Sequence, residues 1–454
     1  MKIFKKLLSV VLCLLFVTSM SVLAFAGTEA DYKIVSPYEG VIWSGKDAWG
    51  AYKGTLHSHT TYSDATVDLA TMVKGYYEQD FDFLANADHS VTGVEWNKTP
   101  AIQPIYLYQP LLGYKLAHLT DEEFEAITNG TYNNRGKKMV CVTGANELNN
   151  LSLTKNHVNG YFLPANVGNG FAGMENEIGY EQAIEFIDKN DGLSHINHPG
   201  DWMQSNSNPE AVNDPYNIQF FGDLILKYDS CLGTEVLNED NGATGYDRVF
   251  WDNLLMYCLP YGKNVLGFAN TDAHDLDNID TSYMVFMMKE NNVANITETM
   301  QSGAFFSITR SLRDCDFEIG PAERIDASNT DTPYPLFTSV TVDGHNITVT
   351  AKDATEIQFI GNGKVLKSQP IGTEAVTLNL DTVEKVKVED LLYVRVEIKG
   401  EGGMCLTQPL VIDNGSEPLV FTEETTVESF FNELSLYFKA TKIWTLICEL
   451  IALF

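Results

Sequence analysis

Between Trp49 and His274 short apolar runs recur, and most of them break off into a histidine, an aspartate or a glutamate. Residues 81–87 run into Asp88-His89, residues 139–143 into Gly144-Ala145-Asn146-Glu147, residues 192–197 into His198-Pro199-Gly200, and residues 265–270 lead to Asp272-Ala273-His274. The segment 156–163 carries His157 at its start. Helical spacing fills the intervals: Leu69, Met72, Val73 and Tyr76 share one side of residues 68–79, and residues 180–189 and 249–257 also read as helices. A chain of strand-helix units has few ways to bury its strands on both faces. The pattern predicts a parallel α/β barrel with its chemistry on the face where the strands end.

The first of these stretches, residues 54–64 (GTLHSHTTYSD), sets His57 and His59 two apart on a strand predicted over residues 52–60. A period of two points both imidazoles to one face, which is half of a metal site. With the strand-end residues, the candidate ligands are His57, His59, Asp64, His89, Glu147, His157, His198, Asp272 and His274. Six of the nine histidines fall in this set, leaving His118, His195 and His345 outside it. Imidazole and carboxylate together suit Zn, Mn or Fe rather than Ca or Mg alone. So many donors exceed the need of one tetrahedral ion, so two or three divalent transition metals are expected.

The rest of the chain has other textures. In residues 1–26, Lys2, Lys5 and Lys6 precede an apolar stretch that ends at Ala24-Phe25-Ala26. This reads as a targeting segment and makes the protein secreted, extracellular or cell-surface associated. A lipid anchor at Cys13 is disfavoured by Leu12, where such a site needs a small residue. The interval 91–138 is too long for a plain connection and is a candidate cap over the site. Beyond residue 319, alternating strands separated by turns such as Asp343-Gly344 and Gly361-Asn362-Gly363 predict a small Ig-like β-sandwich over residues 330–413. Residues 414–454 read as a linker and then an amphipathic or hydrophobic helix suited to peripheral membrane or protein contact. A formal charge of −31 argues against a nucleic-acid partner. Cys141, Cys231, Cys258, Cys315, Cys405 and Cys448 are scattered, without a CxxC, and read as small buried apolar residues.

In the combination of HSH, ADH, GANE, NHP and TDAH, residues 47–310 resemble a PHP (polymerase and histidinol phosphatase) domain. The resemblance implies a distorted (β/α)7 barrel with a multinuclear metal site, ahead of the all-β sandwich and the C-terminal helix. It implies that His57, His59, Glu147 and Asp272 hold one metal, that Asp64, His89 and His274 hold a second, and that His157 and His198 hold a third, with Glu147 as a bridge. The family uses the histidine before proline, so His198 is the ligand in its motif, and His195 is either a supporting contact or a core histidine. Among PHP proteins, the HTTYSD wording and the appended sandwich are most similar to the carbaryl hydrolase-like branch.

The implied activity is metal-dependent hydrolysis of small phosphate esters. A hydroxide bridging two ions is the expected nucleophile, because coordination lowers the pKa of water to roughly 7. Two alternatives stand beside it: a carboxylic or carbamic ester hydrolase at the same site, and a surface-binding protein that uses the barrel as a scaffold. Arg310, after the apolar run 304–308, is the cation expected to meet a substrate anion, whereas Arg248 reads as a surface ion pair.

Overall fold

The computed structural model describes residues 32–149, 155–313 and 324–422. The expected targeting segment, the helix expected beyond residue 427, Cys315 and Cys448 lie outside them. Cys141, Cys231, Cys258 and Cys405 are free thiols, the last three buried.

Up to residue 309 the strands are β1 Lys33–Val35, β2 Gly50–Thr55, β3 Phe83–Ala85, β4 Val140–Val142, β5 Asn146–Leu148, β6 Val158–Tyr161, β7 Leu193–Ile196, β8 Cys231–Asn238, β9 Leu266–Asn270, β10 Ser282–Met288 and β11 Phe305–Thr309, and all but β1 belong to the first lobe. β2, β3 and β4 pair in parallel, with β10 antiparallel to β2 and β11 antiparallel to β10. A second sheet runs in the order β5-β6-β7-β8-β9. Within it β7, β8 and β9 are parallel, but β6 runs against both of its neighbours. The sequence pattern predicts parallel pairing here. The connection from Leu148 to Val158 is too short for a crossover, which needs about a dozen residues, so β6 returns beside β5 in the opposite sense. Single bridges, Ser58 to Ala273 and His89 to Glu147, tie the two sheets together at the strand ends.

Local sequence explains how the strands are aimed. The helix Leu69–Glu78 starts where the Asp68 carboxylate accepts the Thr71 N–H at 3.0 Å, and it buries the predicted Leu69, Met72, Val73 and Tyr76. Asp80 then turns the chain in a left-handed conformation toward β3. β8 and β9 approach closely at Gly233, where a Cβ would collide with the Leu266 carbonyl.

The later strands are β12 Ser311–Leu312, β13 Ile325–Asp326, β14 Leu336–Asp343, β15 Asn346–Lys352, β16 Glu356–Gly361, β17 Lys364–Pro370, β18 Val376–Asn379, β19 Tyr393–Gly400, β20 Gly403–Thr407 and β21 Leu410–Asp413. β14, β15 and β18 form a sheet of their own, whereas β20 pairs with β11, Phe306 opposite Thr407. One sheet therefore continues through both lobes, and the described residues from Lys33 onward form one compact unit.

Buried charge reinforces this junction. Arg248, on the helix Asp247–Cys258, donates through Nη1 to both Glu397 oxygens at 2.7 and 2.8 Å. Arg395 grips Asp252 at 2.6 and 2.8 Å and Glu397 at 2.6 Å. The expectation of a surface ion pair at Arg248 is corrected, since its side chain and that of Glu397 are both buried. Helix and strand meet there in the core, a tertiary contact that residue type alone does not announce.

Candidate metal centre

The strand ends deliver their polar residues to one place. Glu147 on β5 stands at the middle: its Oε1 lies 3.3 Å from His57 Nε2, 3.0 Å from His157 Nδ1 and 3.3 Å from His198 Nε2. Its Oε2 lies 3.2 Å from His59 Nε2 and 2.9 Å from His89 Nδ1. Asp272 Oδ1 approaches His57 and His59 at 3.1 and 3.0 Å. Asp64 meets His89 at 3.2 Å and His274 at 3.3 Å. All nine candidate ligands thus surround one locus. Seven of them form three overlapping groups with the reach of metal sites: His57, His59 and Glu147; His59, Asp64, His89 and His274; and His89, Glu147 and His157. His198 and Asp272 stand beside these groups, against Glu147 and against His57 and His59. The sharing of His59 and His89 between groups differs from the division that the resemblance implies.

The partners on the far side of each ring decide what the ring presents to the centre. His57 Nδ1 is 2.8 Å from the Glu235 carboxylate, which can only accept, so the proton is on Nδ1 and Nε2 carries a lone pair. His59 Nδ1 is 3.2 Å from Ser63 Oγ, whose own hydrogen goes to Asp88 at 2.6 Å, so this ring also donates outward. His274 Nδ1 donates to the Asp272 carbonyl at 2.8 Å. The three Nε2 lone pairs therefore face carboxylate oxygens, acceptor against acceptor. His57 Nε2 and His59 Nε2 lie 3.1 Å apart, and the buried Asp64 Oδ1 and Asp272 Oδ1 receive no hydrogen bond. Only a cation relieves such a cluster, and the mixed nitrogen and oxygen donors fit divalent transition metals.

Protons take that role in the bare protein. Burial opposes charge on His57, but Asp272, Glu147 and Glu235 outweigh it and hold the imidazole well above its usual range. Likewise burial is outweighed by Asp64 and Glu147 at His89, which sits at about 10, and by Glu147 and Asp272 at His198, at about 9. The carboxyls of Glu147 and Asp272 would be raised by burial, yet the surrounding imidazoles hold both well below the ordinary range. Backbone strain marks the same place: His198 and Asp272 adopt positive φ of 24° and 44°, which residues with a Cβ rarely take.

A cavity of ≈ 300 Å³ opens over the cluster, lined by Asp64, His89, Glu147, His157, His198, Asp272 and His274, with Lys155, Asp201, Asn238 and Glu239 among the other wall residues. No wall residue comes from the interval 91–138. That segment instead buttresses the loop carrying Asp64: Gln109 donates to the Ser63 and Ala65 carbonyls at 2.9 and 3.0 Å, and Thr61 donates to the Lys115 carbonyl.

Two expected residues lie elsewhere. Arg310 is buried, paired with Asp280 at 3.2 Å, and donates to the carbonyls of Ala327, Thr330 and Thr332. The guanidinium expected to meet a substrate anion holds the connection after β13 instead. His195 stacks 4.5 Å from Phe268 and pairs with Tyr161 at 2.7 Å, and burial pushes it down to about 4. It is a neutral core histidine. Sequence reasoning missed Glu235, Asp88 and Asn197, which stand behind the ligands: Glu235 pairs with His57, Asp88 accepts from Ser63 beside His59, and Asn197 donates to Glu147 Oε1 at 2.7 Å. Glu235 had a legible signal, a lone acid inside the apolar run 231–237.

No family model matches the chain, and no curated protein matches it. Among solved structures it is similar to a two-domain protein from Bacteroides vulgatus containing a predicted PHP-like metal-dependent phosphoesterase, at 14% identity and a TM-score of 0.40, over 85% of this chain and 100% of that one. It is also similar to the lesion-specific endonuclease EndoQ of Pyrococcus furiosus, at 12% identity and a TM-score of 0.31, over 56% of each chain.

Proposed function

We propose that this protein is a metal-dependent hydrolase of the PHP type, acting on small phosphate esters outside the cytoplasm. The observation that carries the reading is the convergence of outward-protonated imidazoles and buried carboxylates on shared points. His57, His59, Glu147 and Asp272 would hold one ion, Asp64, His89 and His274 another, and Glu147 with His157 and His198 a third. Bound divalent metals supply Lewis acidity and an acidified water.

The chain's own residues do the rest. Asn197 and Asn238 donate to Glu147 and Asp272, at 2.7 and 3.2 Å, and fix these carboxylates before substrate arrives. Lys155, half exposed and paired with Asp201 at 2.8 Å, is the lysine among the described wall residues and favours an anionic substrate. A net charge of −31 disfavours extended polyanions, and a cavity of ≈ 300 Å³ favours a small substrate.

The test is turnover of p-nitrophenyl phosphate, bis(p-nitrophenyl) phosphate and p-nitrophenyl acetate by metal-loaded protein. Phosphate ester hydrolysis is expected to dominate. Turnover of the acetate alone would reverse the reading in favour of a carboxylic ester hydrolase.

A further inference from the structure

Glu235 lies in the interior of β8, fully buried, between Thr234 and Val236 of the core. Nothing about a strand interior calls for a carboxylate. Its two oxygens meet four donors: Oε1 accepts from His57 Nδ1 at 2.8 Å and Asn270 Nδ2 at 2.9 Å, and Oε2 accepts from the His198 backbone N–H at 2.9 Å and Asn238 Nδ2 at 3.0 Å. The geometry points to Glu235 as the positioning residue for two metal ligands at once, His57 through its ring proton and His198 through its main chain. This inference rests on the metal-dependent reading above.

The two asparagines extend its reach. Asn270 Oδ1 accepts the Leu56 N–H at 2.9 Å, anchoring the segment that presents His57. Asn238 Nδ2 also donates to Asp272 Oδ2 at 3.2 Å. At His198 the carboxylate holds an amide whose residue sits at φ 24°, a conformation that persists only when its surroundings fix it. One side chain thus joins the ends of β2, β7 and β9 beneath the cluster.

The chemistry demands an anion with two equivalent oxygens. A glutamine has the same shape but one oxygen, so its NH2 would face either the His57 ring proton or the His198 amide, donor against donor. At His57 the relief is transfer of the ring proton to Nε2, the atom 3.1 Å from Asp272 Oδ1. That consumes the lone pair a metal needs. Loss of such an outer partner typically weakens metal binding about 10- to 100-fold.

The experiment compares wild type with Glu235→Gln by chelator competition with Zn²⁺ and Co²⁺, with circular dichroism to confirm folding. The expected result is native secondary structure with a 10- to 100-fold loss of affinity in at least one site. Affinities within twofold of wild type would overturn the inference. Long-range ¹H–¹⁵N spectra of Zn²⁺-loaded wild type decide independently of the variant: His57 is expected to carry its proton on Nδ1, and a proton on Nε2 would overturn the assignment even if Glu235→Gln does not fold. A wild-type chain that takes up no metal overturns the metal-dependent reading itself, and this inference with it.

Discussion

Two buried charge clusters flank the helix Asp247–Cys258, and they are built on opposite plans. Toward β19, Arg248 and Arg395 face Asp252 and Glu397, two cations against two anions, with contacts of 2.6 to 2.8 Å. Toward the strand ends, Asp64, Glu147, Glu235 and Asp272 face imidazoles whose partners aim lone pairs inward. The first cluster is electrically complete and binds the lobes together. The second is complete only with protons or metals, which is how a reactive centre differs from a structural one of similar burial.

The largest expected difference is in chemistry. His57→Ala combined with His59→Ala removes donors from two of the three groups, so hydrolysis should fall on the order of 10³-fold or more, the several kcal/mol that bound metals contribute to the transition state. Circular dichroism should stay native, and unchanged turnover would erase the distinction between the clusters. At the other cluster, Glu397→Ala leaves two buried guanidiniums short of a partner and should cost about 3–5 kcal/mol of stability in denaturant titration. The protein that remains folded should keep its metal content. A loss of metal without a loss of stability would mean the roles are exchanged.

Acidity sharpens the contrast next. Burial alone would raise the Glu397 carboxyl, but Arg248 and Arg395 outweigh it and hold it at about 2. A depressed carboxyl stabilises above its unfolded pKa, so this contribution is complete above about pH 4.5 and lost as pH falls toward 2. His89 and His198 are shifted the other way, to about 10 and 9. Their charged pairs stabilise the metal-free protein fully below about pH 6.5 and fade as pH rises toward 9 to 10. Metal must displace those protons, so loading should release protons at neutral pH and the Tm gain from Zn²⁺ should widen between about pH 6.5 and 9. A Tm gain independent of pH would count against imidazole ligation.

The smallest effect is expected at the rim. Lys155→Met should raise KM for a phosphate monoester about fivefold, near 1 kcal/mol for an exposed charge, and leave any neutral-ester turnover unaltered. Equal effects on both substrates would remove Lys155 from anion recognition.

Most of the candidate ligands were legible because they close an apolar run with a group that such a run cannot bury alone, and His57 and His59 because they stand two apart on a strand. The repeated strand-helix rhythm likewise announced a mixed α/β lobe with its chemistry at strand ends. What stayed hidden depends on distant partners. The use of Arg310 is decided by Asp280 and by carbonyls at Ala327, Thr330 and Thr332, and that of Arg248 by Glu397 on β19. The junction of the lobes rests on β11 meeting β20, a register that neither strand's composition encodes. Glu235 was visible as an acid within an apolar strand, but its meaning requires knowing which imidazole stands opposite.

Elemental analysis of the purified protein after loading with Zn²⁺ or Mn²⁺ and removal of excess ion tests the cluster most directly. Two or three equivalents per chain are expected, falling in Glu147→Gln because that carboxylate touches five of the imidazoles. Less than one equivalent bound by the folded wild type would contradict it.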